Sequence, residues 1–443
     1  MNEQIPKANV LGNTLIVGAG PAALQVAVHL SGGWCGRIGL LNRKGSHATR
    51  LAEELKTTGN RVSAVIQSER HRHLSGDALL SRFYEGFDEL DDCWETIVIC
   101  TPCDSYKEVI DALRPSRLQA VRTIVLLSPG IGSNLFVNSR LGMCKDRIDV
   151  VSLSAYYAAT KFAPGEQSVT SCFTKAFKKR IYISSSHKNS RSVYHFKSFI
   201  ESLGIHCVVL GQPIEAESRS ITTYVHPPLF MNDFSLNEIF RREKSGKSMY
   251  KLYPEGPITQ HSIRSMVRLW KEISELLRFF GAKPFNLLQF LNDDNYPVHE
   301  ETLSRDDIEG FELFEPIKQE YLLYIRYTSI LIDPFSTPDE NGKYFDFSAV
   351  PYRQVYEDQN GMWVIPRIPF EDWKRLKLLY GLAEKADIRM PETSGLLRIF
   401  ERRLQAFVDG LGVQRLNPDQ LSDRTEDDVR AIWLELDGLR SIS

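Results

Sequence analysis

A glycine-rich turn directly after an apolar run constrains the fold of this chain more than any other feature. Residues 14–23 read Thr-Leu-Ile-Val-Gly-Ala-Gly-Pro-Ala-Ala, a G-x-G-x-x-A pattern between a predicted strand and a predicted helix. Gly18 permits the tight turn, Gly20 lets a ligand approach the backbone, and Ala23 keeps helix and strand close. In this context the pattern is typical of a βαβ unit that binds the pyrophosphate of a dinucleotide at the helix N-terminus.

The same turn opens the helix with a proline. Pro21 suits the first helical turn, because an N–H at that position would have no partner within the helix. We predict a cofactor-binding turn made of Gly18, Gly20, Pro21, Ala22 and Ala23. A tight glycine turn without a ligand is the alternative interpretation.

The residues after the second predicted strand indicate which dinucleotide binds. Sites for NAD place Asp or Glu about 20 residues after the glycine turn, where it holds the ribose 2′-hydroxyl. Residues 41–46 read Leu-Asn-Arg-Lys-Gly-Ser and contain no acid. Asn42 and Arg43 can contact the adenosine end, and Lys44 or Arg50 can add positive charge for a 2′-phosphate. We therefore predict NADPH as the cofactor, with exposed loop cations as the alternative.

Short apolar runs alternate with helical stretches through the first half of the chain. Several runs are β-branched and continuous, which is the pattern of parallel strands buried on both faces. The predicted strands are Thr14–Val17, Ile38–Leu41, Val62–Ile66, Thr96–Cys100, Thr123–Leu127, Val150–Leu153, Ile181–Ser184 and Cys207–Leu210. The repeated alternation predicts an α/β, Rossmann-like domain with a doubly wound parallel sheet.

Beyond Gly211-Gln212-Pro213 the spacing of apolar residues becomes helical, most clearly in the stretch Ile263–Phe280. We predict an NADP-binding domain over residues 1–213 and a mainly α-helical catalytic and dimerisation domain over residues 214–443. A chain of 443 residues is long enough for two such domains.

Two further loops are expected beside the nucleotide, because ligands of open α/β sheets gather at the carboxyl ends of the strands. Cys100-Thr101-Pro102 follows one predicted strand, and Ser128-Pro129-Gly130 follows the next. Thr101 and Ser128 are therefore predicted to contact the cofactor or the substrate. Structural loop hydroxyls are the alternative.

His226 is the candidate for acid–base chemistry. It lies just after the predicted domain boundary, in Tyr-Val-His-Pro-Pro, where the two prolines rigidify the backbone. Clefts form at domain junctions, and a histidine there can exchange protons near neutral pH. Asp233 and Glu255 are candidate orienting partners, and a buried structural histidine is the alternative.

Charge and cysteine content argue against several classes of protein. The net charge of −2 gives no electrostatic reason to expect nucleic acid or an anionic membrane as a partner. The seven cysteines are scattered and odd in number, which indicates free thiols, and Cys100 and Cys103 have no second pair at zinc-finger spacing. We see no secretory signal and no apolar run long enough to span a bilayer. We therefore expect a cytoplasmic protein that needs no metal of its own.

Long motifs in the second half carry a family resemblance. They read Tyr-Val-His-Pro-Pro-Leu-Phe-Met-Asn-Asp-Phe-Ser at 224–235, Tyr-Lys-Leu-Tyr-Pro-Glu-Gly-Pro-Ile-Thr at 250–259, Asn-Leu-Leu-Gln-Phe at 286–290, Asn-Tyr-Pro-Val at 295–298, and Asp-Pro-Phe-Ser at 333–336 with Tyr-Phe-Asp-Phe-Ser-Ala-Val-Pro at 344–351. With these motifs the chain resembles the staphylopine, pseudopaline and yersinopine dehydrogenases, bacterial opine dehydrogenases of metallophore synthesis. The resemblance extends from Gly18 to about Pro391.

The resemblance implies an N-terminal nucleotide-binding domain, a C-terminal catalytic domain, NADPH as cofactor and a homodimer. It also implies that His226 is the catalytic residue. The implied reaction is a reductive condensation between a histidine-derived, nicotianamine-like primary amine and a 2-oxoacid. The two substrates form an imine, NADPH reduces it, and the product is an opine that chelates metal.

The segment Ser154–Lys161 bears on the choice of 2-oxoacid. It follows the sixth predicted strand, so it is expected at the ligand-binding edge of the sheet. Lys161 can hold the oxoacid carboxylate, with an exposed lysine as the alternative. In the family the residue matching Ala159 is small or acidic, and an acid would repel the distal carboxylate of 2-oxoglutarate. We predict that pyruvate is accepted and that 2-oxoglutarate, for which Ala159 leaves room, is a close rival.

Two other functions stay open at this point. One is an NADP-linked dehydrogenase of a 2-hydroxy acid, which needs no amine. The other is a non-catalytic NADP(H)-binding sensor, which has no use for His226 or for the motif at 250–259. The expected partners are small molecules in each case.

Overall fold

The computed structural model describes residues 9–162, 168–331, 338, 340–344, 346 and 348–440. The chain forms two compact units, Met1–Arg219 with Leu434–Ser443, and Ser220–Trp433. The first unit extends past the predicted boundary at residue 213, because Pro213–Ser218 is a helix that packs on its strands. Near the end of the chain, Glu435 lies 3.4 Å from Lys145 of the first unit.

The first unit is built on an eight-stranded sheet. Its strands, together with those of a smaller sheet, are β1 Thr14–Val17, β2 Ile38–Asn42, β3 Arg61–Ile66, β4 Gly76–Leu79, β5 Arg82–Glu85, β6 Thr96–Ile99, β7 Thr123–Leu126, β8 Asp149–Leu153, β9 Ala158–Phe162, β10 Ser171–Phe177, β11 Arg180–Ser185 and β12 His206–Val209. The order across the large sheet is β12-β11-β8-β7-β6-β1-β2-β5. Neighbouring strands are parallel except β8 and β11.

Helices surround this sheet as the sequence predicts. They are α1 Pro21–Leu30, α2 Ser46–Thr58, α3 Tyr106–Leu113, α4 Ser133–Leu141, α5 Arg191–Ser202 and α6 Pro213–Ser218, with 3-10 turns at Glu69–Leu74, Cys103–Ser105, Pro115–Arg117 and Gly142–Cys144. The central strands β1, β6 and β7 are buried over their whole length, which requires cover on both faces. The predicted Rossmann-like α/β fold is confirmed.

A second sheet packs against α1. It has four strands in the order β4-β3-β10-β9, and α1 contacts β3, β9 and β10 as well as β1. The prediction that Val62–Ile66 belongs to the large parallel sheet is wrong, because this segment lies in β3. Its side chains alternate: Val62 and Ala64 are buried, whereas Val65 is 50% exposed. Such alternation is typical of a sheet that is covered on one face only.

Gln25 connects α1 to the second sheet by hydrogen bonds. Its Oε1 accepts from the hydroxyls of Tyr156 at 2.7 Å and Thr174 at 2.6 Å, and also from Thr160. Thr160 therefore points towards α1. Because side chains alternate along a strand, its neighbours Ala159 and Lys161 point to the opposite, exposed face of β9.

The second unit is mainly helical, as predicted. Its helices are α7 Ile221–Phe230, α8 Asp233–Phe240, α9 Gln260–Phe279, α10 Leu287–Asp293, α11 Arg305–Glu309, α12 Pro316–Ser329, α13 Arg367–Lys385, α14 Pro391–Leu411 and the part of α15 Thr425–Arg440 that precedes Leu434, with 3-10 turns at Phe311–Leu313, Val413–Arg415 and Pro418–Gln420 and a hairpin of β13 Tyr356–Glu357 and β14 Trp363–Val364. The long helix α9 packs against α7, α12 and α14, and α7 packs against α13. Within the described ranges, no helix is long and apolar enough to cross a membrane.

Candidate active site

The glycine turn has the backbone geometry that a pyrophosphate needs. Gly18 directly follows β1 and has φ +102°, and a Cβ there would lie 3.2 Å from Cγ2 of Thr101. Gly20 caps α1 without a side chain, and a Cβ added to it would meet nothing within 4 Å. Pro21 occupies the first helical position. The turn is therefore tight at Gly18 and open at Gly20, as dinucleotide binding requires.

Two other features of this turn fit a bound nucleotide. Ala23 is buried, and its small side chain lets α1 pack closely on β1. Its N–H donates to Gly20 O at 2.9 Å and closes the first turn of the helix. Ala22 is half-buried beside it. The hydroxyl of Thr101 is buried and bonds to no residue that the structure describes. Buried hydroxyls normally have a partner, so Thr101 Oγ1 is available to a ligand at this turn.

Arg43 is the available cation after β2. It is exposed, and no carboxylate among the described residues lies within ion-pair distance of it. By contrast, Lys44 Nζ lies 2.6 Å from Asp88, and Arg50 Nε lies 3.3 Å from Glu54. Of the three cations considered after β2, Arg43 is thus the one that has no carboxylate partner among the described residues.

The sequence analysis did not identify two residues that lie near the end of β2. Glu85 ends β5 directly beside Asn42, and its carboxylate accepts the hydroxyl of Thr49 at 2.6 Å. His47, in the first turn of α2, places Nε2 3.0 Å from the carbonyl oxygen of Ala19 in the glycine turn. An acid is therefore close to the end of β2 after all, although the neighbouring strand supplies it and Thr49 donates a hydrogen bond to it.

The loops after β6, β7 and β8 meet at the carboxyl edge of the large sheet. Ser128 Oγ accepts the N–H of Tyr156 at 3.2 Å. A Cβ added to Gly130 would lie 3.4 Å from Cys103 Sγ. Thr101 and Ser128 thus lie on neighbouring loops of one edge, as predicted. All seven cysteines are free thiols, and burial raises the pKa of Cys100 well above its usual range.

The segment Ser154–Lys161, which was predicted to influence the choice of 2-oxoacid, is not entirely a loop. Residues 154–157 leave the carboxyl end of β8, but Ala159 and Lys161 lie in β9 of the second sheet. Ala159 pairs with Ala176, and Lys161 pairs with Phe173, both on β10. Both side chains are exposed, so their roles in substrate binding stay predictions.

The second unit pairs His226 with an acid that the sequence did not indicate. His226 lies in α7, and its Nδ1 is 3.3 Å from Oδ2 of Asp372 in α13. The His226 side chain is 12% exposed and that of Asp372 only 2%. The distance between Nδ1 and Oδ2 is that of an ion pair. Oδ2 nevertheless accepts no hydrogen bond from the ring, because the two groups are not aligned for one. A small rotation of the His226 ring would align them.

The acids considered from the sequence lie elsewhere. Asp233 pairs with Arg402 at 3.2 Å on the surface, and Glu255 is exposed in a turn. Neither is the partner of His226. The expectation of an orienting acid close in sequence is therefore corrected, because the packing of α13 on α7 supplies the acid instead.

Aromatic side chains surround the pair. The Phe230 ring meets the His226 ring at an angle of 64° with 5.2 Å between the ring centres, and the Tyr250 ring packs edge-on against Phe230 at 5.5 Å. Burial raises the pKa of Tyr250 above its usual range, and the nearby Tyr327, Tyr296 and Asp372 raise it further. The Tyr250 hydroxyl therefore keeps its proton at neutral pH and can only act as a neutral donor or acceptor.

Part of one recognised motif lies outside the described residues, namely 333–336, Phe345 and Phe347. Across the residues that are described, no group of three or more His, Cys, Asp or Glu side chains is placed to hold a metal ion.

Comparison with known proteins places this chain in a family. The staphylopine dehydrogenase family matches residues 12–436. Pseudopaline synthase of Pseudomonas aeruginosa is 45% identical over 412 residues, which are 92% of this chain and 93% of that one. Staphylopine synthase of Staphylococcus aureus is 37% identical over 98% of this chain and 100% of its own. A solved yersinopine dehydrogenase with NADP⁺ bound is 32% identical, covers 98% and 100% of the two chains, and superposes with a TM-score of 0.89. The chain belongs to the staphylopine dehydrogenase family.

Proposed function

We propose that this chain is an NADPH-dependent opine dehydrogenase. It joins the primary amine of a histidine-derived, nicotianamine-like compound to a 2-oxoacid and reduces the product to an opine metallophore. The observation that carries the proposal is the His226–Asp372 pair in a chain of this family. The open turn at Gly20, the unbonded hydroxyl of Thr101 and the unpaired Arg43 support NADPH as the cofactor.

The proposed reaction has two stages. The amine nitrogen attacks the ketone carbon of the oxoacid, and loss of one water gives an imine. When bound, NADPH supplies a hydride to the imine carbon, and a proton on nitrogen completes the secondary amine. The product combines an imidazole, secondary amines and carboxylates, a donor set suited to borderline divalent metals.

His226 moves protons in this scheme. Its Nδ1 faces Asp372, so Nε2 is the nitrogen that exchanges protons with the substrate. Loss of water requires a proton on the departing oxygen, and attack by the amine requires removal of one from nitrogen. After the small ring rotation that aligns the two groups, the buried Asp372 carboxylate accepts from Nδ1 and stabilises the imidazolium while it carries the extra proton.

A mixing experiment tests the function as a whole. We expect NADPH oxidation only when amine and 2-oxoacid are present together, followed by mass spectrometry of the product. Oxidation with oxoacid alone would support a hydroxy-acid dehydrogenase. Binding of NADPH without oxidation under any condition would support a sensor.

Cofactor choice is predicted to depend on Arg43. Arg43→Glu should lower the preference for NADPH over NADH by about 10–100-fold, because it replaces the cation that meets the 2′-phosphate with an acid. The ratio of kcat/KM values for the two cofactors measures this. Lys44→Glu is the matched control, since Lys44 is held by Asp88. An equal change in both variants would argue against a specific role of Arg43.

Oxoacid choice is predicted to depend on residue 159. Ala159→Asp should reduce kcat/KM for 2-oxoglutarate about tenfold more than for pyruvate, because an acid repels the distal carboxylate. Ala159→Asn is the control, with the same size and no charge. If the ratio does not move in the aspartate variant, residue 159 does not line the oxoacid site.

The proposal includes a cytoplasmic homodimer, as the family resemblance implies. Exposed apolar side chains on the second unit, Leu313, Ile317 and Tyr321, support an interface of that kind. Light scattering of the purified protein measures the mass in solution.

A further inference from the structure

A buried glutamate closes the N-terminus of α4. Glu217, in α6, is 1% exposed. Its Oε2 accepts the N–H of Gly132 at 2.9 Å, and its Oε1 accepts the N–H of Asn134 at 2.7 Å and the hydroxyl of Ser152 at 2.9 Å. Gly132 is the N-cap residue, has φ +91° and lacks a side chain. The carboxyl group of Glu217, which belongs to α6, therefore caps the N-terminus of α4 in place of an N-cap side chain.

The loop that Glu217 holds belongs to the carboxyl edge of the large sheet. It carries Ser128, whose hydroxyl accepts from Tyr156 of the segment after β8. It packs at Gly130 against Cys103 in the loop after β6. Through Ser152 the same carboxyl group also bonds to β8 itself.

These contacts continue to the glycine turn. The loop after β6 also carries Thr101, whose Cγ2 would lie 3.2 Å from a Cβ at Gly18. The β7 and β6 loops thus approach each other and the turn that opens α1 closely. Backbone hydrogen bonds also join the three strand ends, from Leu127 N–H to Ile99 O at 3.2 Å and from Cys100 N–H to Val17 O at 2.8 Å. A shift of the loop after β7 would displace Thr101 and Gly18 as well, because these strand ends are closely packed and hydrogen-bonded to one another.

We propose that Glu217 is a positioning residue for the nucleotide, in that it fixes the strand-end loops that contact NADPH. The inference rests on the proposed function for the identity of the ligand. Glu217 touches no ligand itself, because its carboxyl oxygens are occupied by Gly132, Asn134 and Ser152.

A second glutamate provides a control for simple helix capping. Glu272, 8% exposed in α9, accepts the N–H of Glu392 at 2.6 Å and both the N–H at 2.9 Å and the hydroxyl at 2.7 Å of Thr393. It closes the N-terminus of α14 in the second unit by the same chemistry. Loss of either glutamate leaves buried backbone N–H groups without a partner, so both substitutions should lower stability.

The test compares Glu217→Ala, Glu217→Gln and Glu272→Ala in the full-length protein. Measured quantities are the Kd for NADPH, by calorimetry, and the melting temperature. We expect Glu217→Ala to weaken NADPH binding about tenfold or more, and Glu217→Gln to lie between it and the wild type, because the amide oxygen keeps one acceptor. Glu272→Ala should lower the melting temperature and leave the Kd unchanged.

Several results decide the matter. A folded Glu217→Ala with the wild-type Kd overturns the inference, as does equal weakening by Glu272→Ala. If Glu217→Ala fails to fold, Glu217→Gln carries the test: a raised Kd together with faster amide exchange at Gly132 and Asn134 supports the inference, and an unchanged Kd overturns it. A wild type that binds no NADPH would remove the proposed function and this inference together.

Discussion

Replacement of His226 by glutamine is expected to lower kcat by about 10²–10⁴-fold, the usual contribution of a general acid–base group. Glutamine keeps polarity and approximate size but cannot shuttle a proton. NADPH should still bind, because the residues assigned to the cofactor lie in the first unit. Steady-state kinetics with both substrates and calorimetry with NADPH measure the two effects separately.

The control for this variant is His261→Gln. His261 is an exposed histidine in the first turn of α9, so its loss should leave kcat unchanged. Near-normal turnover by the His226 variant would rule out an acid–base role for that residue. A variant that loses NADPH affinity along with activity would instead point to a structural defect.

Asp372→Asn is expected to lower kcat by about 10²–10³-fold. Asp372 is 2% exposed, and its Oδ2 faces Nδ1 of His226. An asparagine is neutral and can present its amide N–H groups to Nδ1, which removes the stabilisation of the imidazolium and favours the wrong tautomer. The loss should appear in kcat far more than in the Kd for NADPH.

Asp233→Asn is the matched control for Asp372. Asp233 follows His226 closely in the sequence, but its carboxylate is exposed and pairs with Arg402. Its loss should leave kcat within about twofold, since exposed ion pairs contribute little. If Asp233→Asn reduced kcat as much as Asp372→Asn, the assignment of the orienting acid would be wrong.

The nucleotide turn could be predicted from the sequence because its determinants are local. A buried strand, a glycine turn and a helix follow one another within residues 14–30, and each glycine acts through its own backbone. The large sheet could be predicted for the same reason, because continuous β-branched runs indicate strands that are buried on both faces. Comparison with known proteins confirmed the family that the motifs around His226 indicated.

The features that the sequence did not predict depend on contacts between distant residues. Strand β10 pairs with β3 although about a hundred residues separate them, and no local signal records such a pairing. Asp372 reaches His226 only because α13 packs on α7. Glu85 reaches Asn42 because β5 adds to the edge of the large sheet. Nothing in the sequence of the short helix α6 indicated that Glu217 caps another helix.

Folding of this chain takes up a proton at Glu217. Burial raises the pKa of its carboxyl group from 4.5 to about 8, which outweighs the opposing effect of the hydrogen bonds that the carboxyl group accepts. Between these pH values the folded protein holds a proton that the unfolded chain has released. The stability gained in this way is complete below about pH 4.5 and is lost as the pH rises through about 8. Burial raises the pKa of Glu272 as well, with the same sign. Resistance to unfolding thus has a component that declines across the neutral range, and it originates in the carboxyl group of Glu217, which closes α4. The carboxyl group that closes α14 adds a contribution of the same sign.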